Sequence, residues 1–370
     1  MSKLFTPLTI GPLTLPNRIL VAPMCQYSAV EGSAQPWHTV HLGSMAISGA
    51  GLLCLEATGV SPEGRITPYC LGLYNDANQV ALDEVLRQVR AVSNMPLAIQ
   101  LSHAGRKASS RAPWDGGSLI RVEDGGWTPL APSPLAQHED EPPPRAMSEA
   151  DIERAIQDFA RAAQRARALG FDGVELHMAH GYLMHQFLSP ISNQRQDAWG
   201  GSLENRMRFA LQVFDAVQAA CGPKMAVGIR LSATDWVEGG WDLAQSIVLC
   251  RELDARGCHF FHISSGGLSP RQKIPAGPGF QVPFAAAIKK EVKAPVIAVG
   301  LITEPKQAET VIVDGSADAV AMARGMLANP RFPWTAALEL DGTITAPKQY
   351  WRSLASGPSR IFGNARNAQR

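Results

Sequence analysis

The chain has 370 residues, 45% of them hydrophobic, and 34 Lys and Arg nearly balance 33 Asp and Glu, giving a formal charge of +1. This length suits one large α/β barrel, and the near-neutral balance argues against a nucleic-acid-binding surface. The six cysteines include no C-x-x-C pair, which disfavours zinc ribbons and iron–sulfur clusters and favours a reducing, cytoplasmic location. No apolar run is long enough for a membrane span, and the N-terminus lacks the apolar core of a secretory signal.

Short apolar strand candidates alternate with helical stretches along most of the chain. Eight strands are predicted, at residues 19–24, 51–58, 96–101, 173–177, 226–232, 260–265, 295–300 and 319–323. Helices are predicted at residues 77–92, 150–168, 203–220, 243–255, 283–291 and 304–313. Ser148 with Asp151, and Asp242, are candidate helix N-caps. This alternation favours a (β/α)8 TIM barrel. The absence of G-x-G-x-x-G after the first strand disfavours the alternative, an open doubly wound sheet.

Two segments interrupt this alternation. Residues 106–147 are rich in Pro, Gly and Trp and follow the third strand. They therefore start at the carboxyl-end face of the barrel, where the choice is between a lid over the site and a plain surface excursion. Residues 347–370 form a tail after a single barrel domain at residues 1–346. A disordered tail and one that reaches across a subunit interface are both compatible with the sequence.

The end of the fourth strand carries the densest group of chemically active side chains. His177 and His180 are three residues apart, and Tyr182 follows two residues later. In a (β/α)8 barrel such strand ends meet at the active site. The spacing is compatible with several hydrogen-bond donors around one small polar ligand, with a zinc half-site and with a purely structural pair.

The seventh and eighth strands end in Gly300 and in Arg324-Gly325. Glycine lets the backbone approach a ligand closely, and arginine adds a permanent cation. The loops after these two strands form the recurring phosphate site of this architecture. The sequence therefore predicts phosphate binding at these two strand ends.

Arg230 ends the fifth strand and needs a partner if it is buried. One interpretation is a salt bridge to a strand-end acid such as Glu56. The other is a ligand that gains negative charge during reaction, as a reduced flavin does at N1 and O2. The amide of Gln100, at the end of the third strand, suits the pyrimidine edge of such a ring.

Longer segments of the chain resemble the Old Yellow Enzyme flavin reductases, most closely the thermophilic-like branch of YqjM and xenobiotic reductase A type. The resemblance runs from Leu4 to about Arg352. The most specific segment is GVELHMAHGYLMHQFLSPISNQRQDAWGGSLENRMRF, and the cysteine of PMCQY marks the branch. Further matching segments are NRILVAPMCQYSA, GLLCLEATGVSPEGRI, IQLSHAGRKA, HISSGG, VGLIT and ARGMLANP.

The resemblance implies an ene-reductase that holds FMN non-covalently over the barrel mouth and uses NADPH or NADH as reductant. The implied contacts of the flavin ring and ribityl chain are Pro23, Met24, Cys25, Ala57, Gln100, His177 and Arg230. The implied phosphate contacts are Gly300, Arg324 and Gly325.

The resemblance also implies roles for the substrate side of the site. His177 and His180 would bind the carbonyl or nitro oxygen of an activated alkene, and Tyr182 would donate the proton. Cys25 would tune the flavin and contact substrate. The implied remaining substrate-binding residues are Tyr27, Lys107, Trp351 and Arg352. The last two would act across the interface of a homodimer or homotetramer. The alternative is a tail that packs on its own barrel.

Three residues depart from the pattern of these relatives. Met178 is bulkier than the small residue often found between the two histidines, and Val299 and Leu301 replace residues that shape the substrate pocket. Substrate identity, stereochemical preference and the choice between NADPH and NADH therefore stay open.

Two other functions compete with the flavin reductase. One is a metal-dependent barrel hydrolase with the two histidines as ligands, and the other is a non-catalytic flavin-binding protein. The strand ends offer Arg, Gln and Cys where a hydrolase needs carboxylates or lysine, so no metal is expected. A plain binder would not need the proton donor Tyr182.

Overall fold

The computed structural model describes residues 2–353 and 360–362. Its centre is a closed barrel of eight parallel strands, each paired with the next along the chain and the last paired with the first. The strands are β1 (Ile19–Val21), β2 (Leu52–Gly59), β3 (Leu97–Ser102), β4 (Gly173–Met178), β5 (Ala226–Ser232), β6 (Phe261–Ser264), β7 (Val296–Ala298) and β8 (Ala319–Met322). The predicted (β/α)8 barrel is confirmed, and β1 stops before Pro23, which has no N–H to donate.

Helices surround the barrel. They are α1 (Pro36–Ala46), α2 (Asp76–Arg90), α3 (Glu149–Ala168), α4 (Leu183–Leu188), α5 (Leu203–Cys221), α6 (Leu243–Ala255), α7 (Val282–Lys289), α8 (Pro305–Val313), α9 (Arg324–Ala328) and α10 (Phe332–Glu339). The predicted caps are confirmed. The Ser148 hydroxyl accepts from the Asp151 N–H at the start of α3, and Asp242 accepts from the Gln245 N–H at the start of α6. No helix in the described ranges is long and apolar enough to cross a bilayer.

The amino end of the barrel interior is filled with apolar side chains. A hairpin of two short strands, Leu8–Ile10 and Leu13–Leu15, covers this end. Its Leu15 packs in one buried cluster with Leu20, Leu52 and Phe260, which lie at or near the amino ends of their strands. Burying one such side chain contributes roughly 1.5–3 kcal/mol, so this end stabilises the barrel.

Polar side chains enter the interior towards the carboxyl ends of the strands. On β4, Val174 and Leu176 point outwards into the cluster beneath the helices. The alternate residues, Glu175 and His177, are also buried and point inwards. A strand that is buried along its whole length therefore places a carboxylate and an imidazole inside the barrel.

A bulge in β2 redirects one carboxylate. Leu55 pairs with Ile99 and Ala57 pairs with Gln100, so Glu56 is the extra residue. Its Oε2 accepts from the Gln26 N–H at 3.0 Å. Glu56 thereby anchors the segment that follows β1, which carries Cys25.

The excursion at residues 106–147 contains three short 3-10 turns and a two-residue parallel pairing, Leu130–Ala131 with Arg145–Ala146. The indole N–H of Trp127 donates to the Glu63 carbonyl, and the ring of Trp114 lies 5.4 Å from that of Tyr27. The excursion therefore contacts the mouth of the barrel beside a predicted substrate residue. Its opening and closing as a lid stays a prediction.

The described part of the tail packs at the opposite end. Tyr350 lies 5.7 Å from the ring of Trp334 in α10, and the indole of Trp351 donates to the Ala346 carbonyl. Residues 354–359 and 363–370 of the predicted tail lie outside the described residues.

Candidate active site

The loop after β4 places His180 in a strained backbone conformation. His180 has φ +57°, a left-handed value that is unfavourable for a residue with a Cβ. Its N–H donates to the Ser232 hydroxyl at 3.0 Å, and its carbonyl accepts from the Lys107 ammonium at 2.9 Å. Two side chains from other strand ends thus hold this conformation, which aims the His180 ring into the mouth.

Gly267, the last residue of HISSGG, and Gly181 let two loops approach closely. A Cβ on Gly267 would lie 2.5 Å from the Cα of His180, and a Cβ on Gly181 would overlap the Gly267 carbonyl. The two backbones are therefore in direct contact, which only glycine permits at these positions.

A buried histidine–aspartate pair supports the same loop from beneath. The Gly181 N–H donates to His185 Nδ1 at 2.9 Å, which leaves the proton of His185 on Nε2. That nitrogen lies 2.8 Å from Asp235, whose other oxygen accepts from Ser189 and from the Trp241 N–H. The start of the loop is thereby tied to the end of β5.

The two predicted histidines form a hydrogen-bonded chain. His177 Nδ1 accepts from the Ala179 N–H, so its proton is on Nε2, which lies 3.4 Å from His180 Nδ1. His180 Nε2 lies 2.7 Å from the Ser264 hydroxyl. Burial and the nearby Arg230 charge lower the pKa of both rings well below 6.5. Both are therefore neutral imidazoles, each with one N–H to offer to a ligand oxygen.

Tyr182 packs edge-on against His177, with ring centroids 4.8 Å apart, and the Lys107 ammonium lies 5.1 Å from its ring centre. Burial raises the pKa of Tyr182 well above 10, so its phenol keeps its proton at neutral pH. Cys25 and Tyr27 pack in the same apolar cluster. Burial also raises the pKa of the Cys25 thiol, which is therefore neutral.

Several residues predicted to contact a flavin ring lie near the carboxyl ends of neighbouring strands. Ala57 is paired with Gln100, and His177 is paired with Arg230, in the strand register. All four are buried, and Pro23 lies at the end of β1 beside them. Barrel closure thus gathers residues from five strand ends around one space.

Arg230 is the member of this group that has a buried polar atom without a partner among the described residues. Its Nε is buried and makes no hydrogen bond with any described residue. Glu56 is not its partner, so that interpretation of the sequence was wrong: the β2 bulge turns this carboxylate towards Gln26 and His38. A buried guanidinium N–H without an acceptor fits a ligand that brings its own acceptor atoms, as the edge of a flavin ring does.

The predicted phosphate residues lie on adjacent strands. Gly300 follows β7 with φ +123°, and a Cβ there would lie 2.6 Å from Gln281 Nε2. Arg324 is exposed in the first turn of α9, directly after β8. Gly325 comes next, and a Cβ there would lie 3.0 Å from the terminal methyl of Met322. The arrangement offers glycine backbone on two neighbouring strand ends and a cation, which fits a phosphate group.

Two predicted substrate residues are not at this mouth. Trp351 lines a groove with Asn17, Ala50 and Pro96, which precede the first three strands. Arg352 is exposed next to it. Both lie at the amino end of their own barrel, so any contact they make with a substrate has to be in another subunit.

Several polar residues of the site were missed by the sequence reasoning. The largest omission is Glu175, which accepts from the Gln100 amide at 2.6 Å and lies 2.8 Å from His262 Nδ1. A glutamate and a histidine in the inward phase of otherwise apolar strands, GVELHM and FHIS, were the available signal.

The chain is similar in sequence to known flavin oxidoreductases over most of its length. A sequence model of the NADH:flavin oxidoreductase / NADH oxidase family matches residues 3–342. The NADPH dehydrogenase of Geobacillus thermodenitrificans is 42% identical over 352 residues, covering 94% of this chain and 98% of that protein. The NADPH dehydrogenase of Bacillus subtilis is 40% identical over 353 residues, covering 95% and 98%.

Solved structures with the same fold include morphinone reductase in complex with tetrahydroNAD, with a TM-score of 0.76 and 33% identity, covering 99% of this chain and 95% of that one. A 2-naphthoyl-CoA reductase complex has a TM-score of 0.82 and 26% identity, covering 90% of this chain but only 52% of the larger protein. Within the described ranges, no group of three or more His, Cys, Asp or Glu side chains is placed to hold a metal ion.

Proposed function

The chain belongs to the NADH:flavin oxidoreductase / NADH oxidase family, and from that premise we propose that it reduces the C=C bond of activated alkenes. It is an FMN-dependent NAD(P)H oxidoreductase of the Old Yellow Enzyme type. The proposed substrates are α,β-unsaturated carbonyl and nitro compounds. One observation carries the proposal: His177 contacts both His180 and Tyr182 and is paired in the strand register with Arg230. Burial keeps the two imidazoles neutral and the phenol protonated, because it lowers the pKa of each histidine and raises the pKa of the tyrosine.

FMN, when bound, accepts hydride from NADPH or NADH and passes hydride to the substrate. Arg230 and Gln100 would hold the polar edge of its ring, because both are buried and Arg230 has an N–H without an acceptor. The further proposed ring contacts are Pro23, Met24, Cys25, Ala57 and His177. The proposed phosphate contacts are Gly300, Arg324 and Gly325.

His177 and His180 would bind the electron-withdrawing oxygen of the substrate. Each is a neutral donor in a buried site, where a hydrogen bond to a developing oxyanion is strong. A bound oxygen would take the place of the contact between the two rings and of the contact to Ser264. Charge that builds on this oxygen is thereby stabilised, and the alkene becomes more electrophilic.

Tyr182 would supply the proton to the carbon next to the activating group. Its raised pKa keeps the proton available at neutral pH, and its edge contact with His177 supports a position beside the proposed oxygen site. The neutral thiol of Cys25 would contact substrate and flavin, and Tyr27 and Lys107 would line the rim.

We further propose that the active unit is a homodimer or homotetramer in which Trp351 and Arg352 of one subunit complete the rim of another. Their place at the amino end of their own barrel supports this arrangement. A fully active monomer at low concentration would rule it out.

Anaerobic stopped-flow measurement of the two half-reactions tests the proposal, with NADPH as reductant and cyclohexenone or a nitro ester as oxidant. Tyr182→Phe should slow alkene reduction by about 100-fold or more, and by more than it slows flavin reduction. Tyr69→Phe, which alters an exposed tyrosine, is the matched control. Equal slowing of both half-reactions by Tyr182→Phe would contradict the proton-donor role. A flavin absorption that never bleaches with NADPH would favour a plain flavin-binding protein.

A further inference from the structure

A small polar cluster lies inside the barrel, deeper than the histidine–tyrosine loop. Glu175 of β4 is at its centre and is 2% exposed. Its Oε1 accepts from Gln100 Nε2 of β3 at 2.6 Å, and its Oε2 lies 2.8 Å from His262 Nδ1 of β6. Arg230 of β5 is the residue paired with His262 in the strand register. The proposed chemistry of the active site gives no role to Glu175 or His262.

Glu175 is the anion of this cluster. Burial opposes its ionisation, but the hydrogen bonds from His262 and Gln100 and the charge of Arg230 lower the pKa of the carboxyl. Burial lowers the pKa of His262, so this ring is neutral, and burial raises the pKa of the neighbouring Cys54 thiol, which keeps its proton. Glu175 and Arg230 are therefore the two opposite charges of the cluster.

The two charges balance without forming a direct ion pair. Both oxygens of Glu175 are directed to other residues, Gln100 and His262. The Nε of Arg230 has no acceptor among the described residues. Glu175 thus lowers the net charge of the barrel interior and leaves the guanidinium free to bind a ligand.

Glu175 also fixes the orientation of the Gln100 amide. A carboxylate only accepts hydrogen bonds, so the amide nitrogen of Gln100 must be the atom that faces Glu175. The amide oxygen is then the atom that faces away from it. A neutral residue at position 175 that can also donate would no longer impose this orientation.

We propose that Glu175 is a positioning residue that lowers the reduction potential of bound FMN, by balancing Arg230 and by fixing the Gln100 amide. A flavin gains negative charge at its N1–O2 edge on reduction, and an unbalanced Arg230 would over-stabilise that state. By keeping the reduction potential low, the balanced cluster favours hydride transfer from the reduced flavin. This inference rests on the proposed placement of the flavin edge against Arg230 and Gln100.

The reduction potential of the holoenzyme tests it, measured anaerobically at pH 7 by equilibration with a reference dye of known potential. Glu175→Gln should raise the ratio of the affinities for reduced and oxidised FMN about tenfold, which is about 30 mV for a two-electron couple. Glu175→Asp keeps the charge and should stay near the wild-type potential. Asp151→Asn removes a buried carboxylate at the start of α3 and should leave the potential unchanged.

A second pair of variants covers the case in which Glu175→Gln does not fold. Both Arg230→Gln and the double variant Arg230→Gln/Glu175→Gln lack the buried guanidinium, and only the double variant also lacks the Glu175 anion. The double variant should have the more positive potential of the two. Equal potentials in this pair, or a wild-type potential in a folded Glu175→Gln, would overturn the inference.

The proposed placement of the flavin fails in a different way. If Arg230→Gln bound FMN as tightly as wild type, the flavin edge would not lie against Arg230, whatever the potentials. Neither the reduction potentials nor the FMN affinity depends on whether the enzyme reduces an alkene.

Discussion

The two ends of the barrel interior are built from the same eight strands but from opposite chemistry. At the amino end Leu15, Leu20, Leu52 and Phe260 pack without polar partners. At the carboxyl end, buried polar side chains hydrogen-bond to one another, and Arg230 keeps an unused N–H. Apolar packing needs only volume and contact, whereas buried polar groups need matched partners. The barrel thus separates the end that stabilises it from the end that binds and reacts.

The largest expected effect is a loss of stability from a substitution at the amino end. Leu15 is fully buried, so Leu15→Ala should lower the free energy of unfolding by about 2–5 kcal/mol, because it removes apolar contact and leaves a cavity. Urea unfolding of the apoprotein measures this loss. Thr9→Ala, at an exposed position of the same hairpin, should change stability by less than about 0.5 kcal/mol. FMN affinity should be unchanged in both, and a loss of affinity in Leu15→Ala would show that the two ends are coupled.

The next effect is a loss of FMN affinity from a substitution at the carboxyl end. Arg230→Gln should weaken FMN binding by about 10- to 100-fold, since it removes hydrogen bonds from a charged donor in a buried site. Its apoprotein should also lose stability, because Glu175 is left as a buried anion without the guanidinium charge that balances it. Fluorescence titration of apoprotein with FMN measures the affinity. Arg206→Gln, another buried arginine that contacts Gln245 and lies outside the site, is the matched control and should bind FMN normally.

A smaller effect sharpens the role of the strained loop. Ser232→Ala removes the acceptor that holds the His180 N–H, at a cost of about 0.5–1.5 kcal/mol. The affinity for a phenolic ligand at the proposed oxygen site should fall by about threefold to tenfold, as measured by the flavin absorption shift. Ser48→Ala, a buried serine in the turn after α1, should leave ligand affinity unchanged. Unchanged affinity in Ser232→Ala would mean that the His180 conformation does not depend on this bond.

A further effect at the carboxyl end is a pH dependence from Lys107. Burial, and next the Arg106 charge, lower its pKa from 10.5 to about 8. Between these two pH values the unfolded chain binds more protons at Lys107 than the folded chain does. This group alone therefore makes the free energy of unfolding rise with pH over that window. Comparing the pH slopes of wild type and Lys107→Met from pH 8 to 10.5 checks this, and a steeper rise in the variant would contradict it.

Much of the site followed from local sequence, because each strand end can be read by itself. The apolar pattern predicts strands that end at or just before His177, His180, Tyr182, Gly300 and Gly325. The excursion was placed for the same reason, since it follows the third strand. The contact of its Trp114 with Tyr27 was not predicted, because no local pattern relates the two positions.

The sequence by itself determined the eight strands, their alternation with helices, the family and the side chains that stand at each strand end. These features depend on periodicity and on neighbours within a few residues. Only the tertiary structure decided which buried polar groups meet. Glu175 joins Gln100 and His262 from three different strands, and the β2 bulge sends Glu56 to Gln26 instead of Arg230. Such contacts depend on the register and closure of the barrel, which relate residues far apart in the chain and leave no mark in the local pattern.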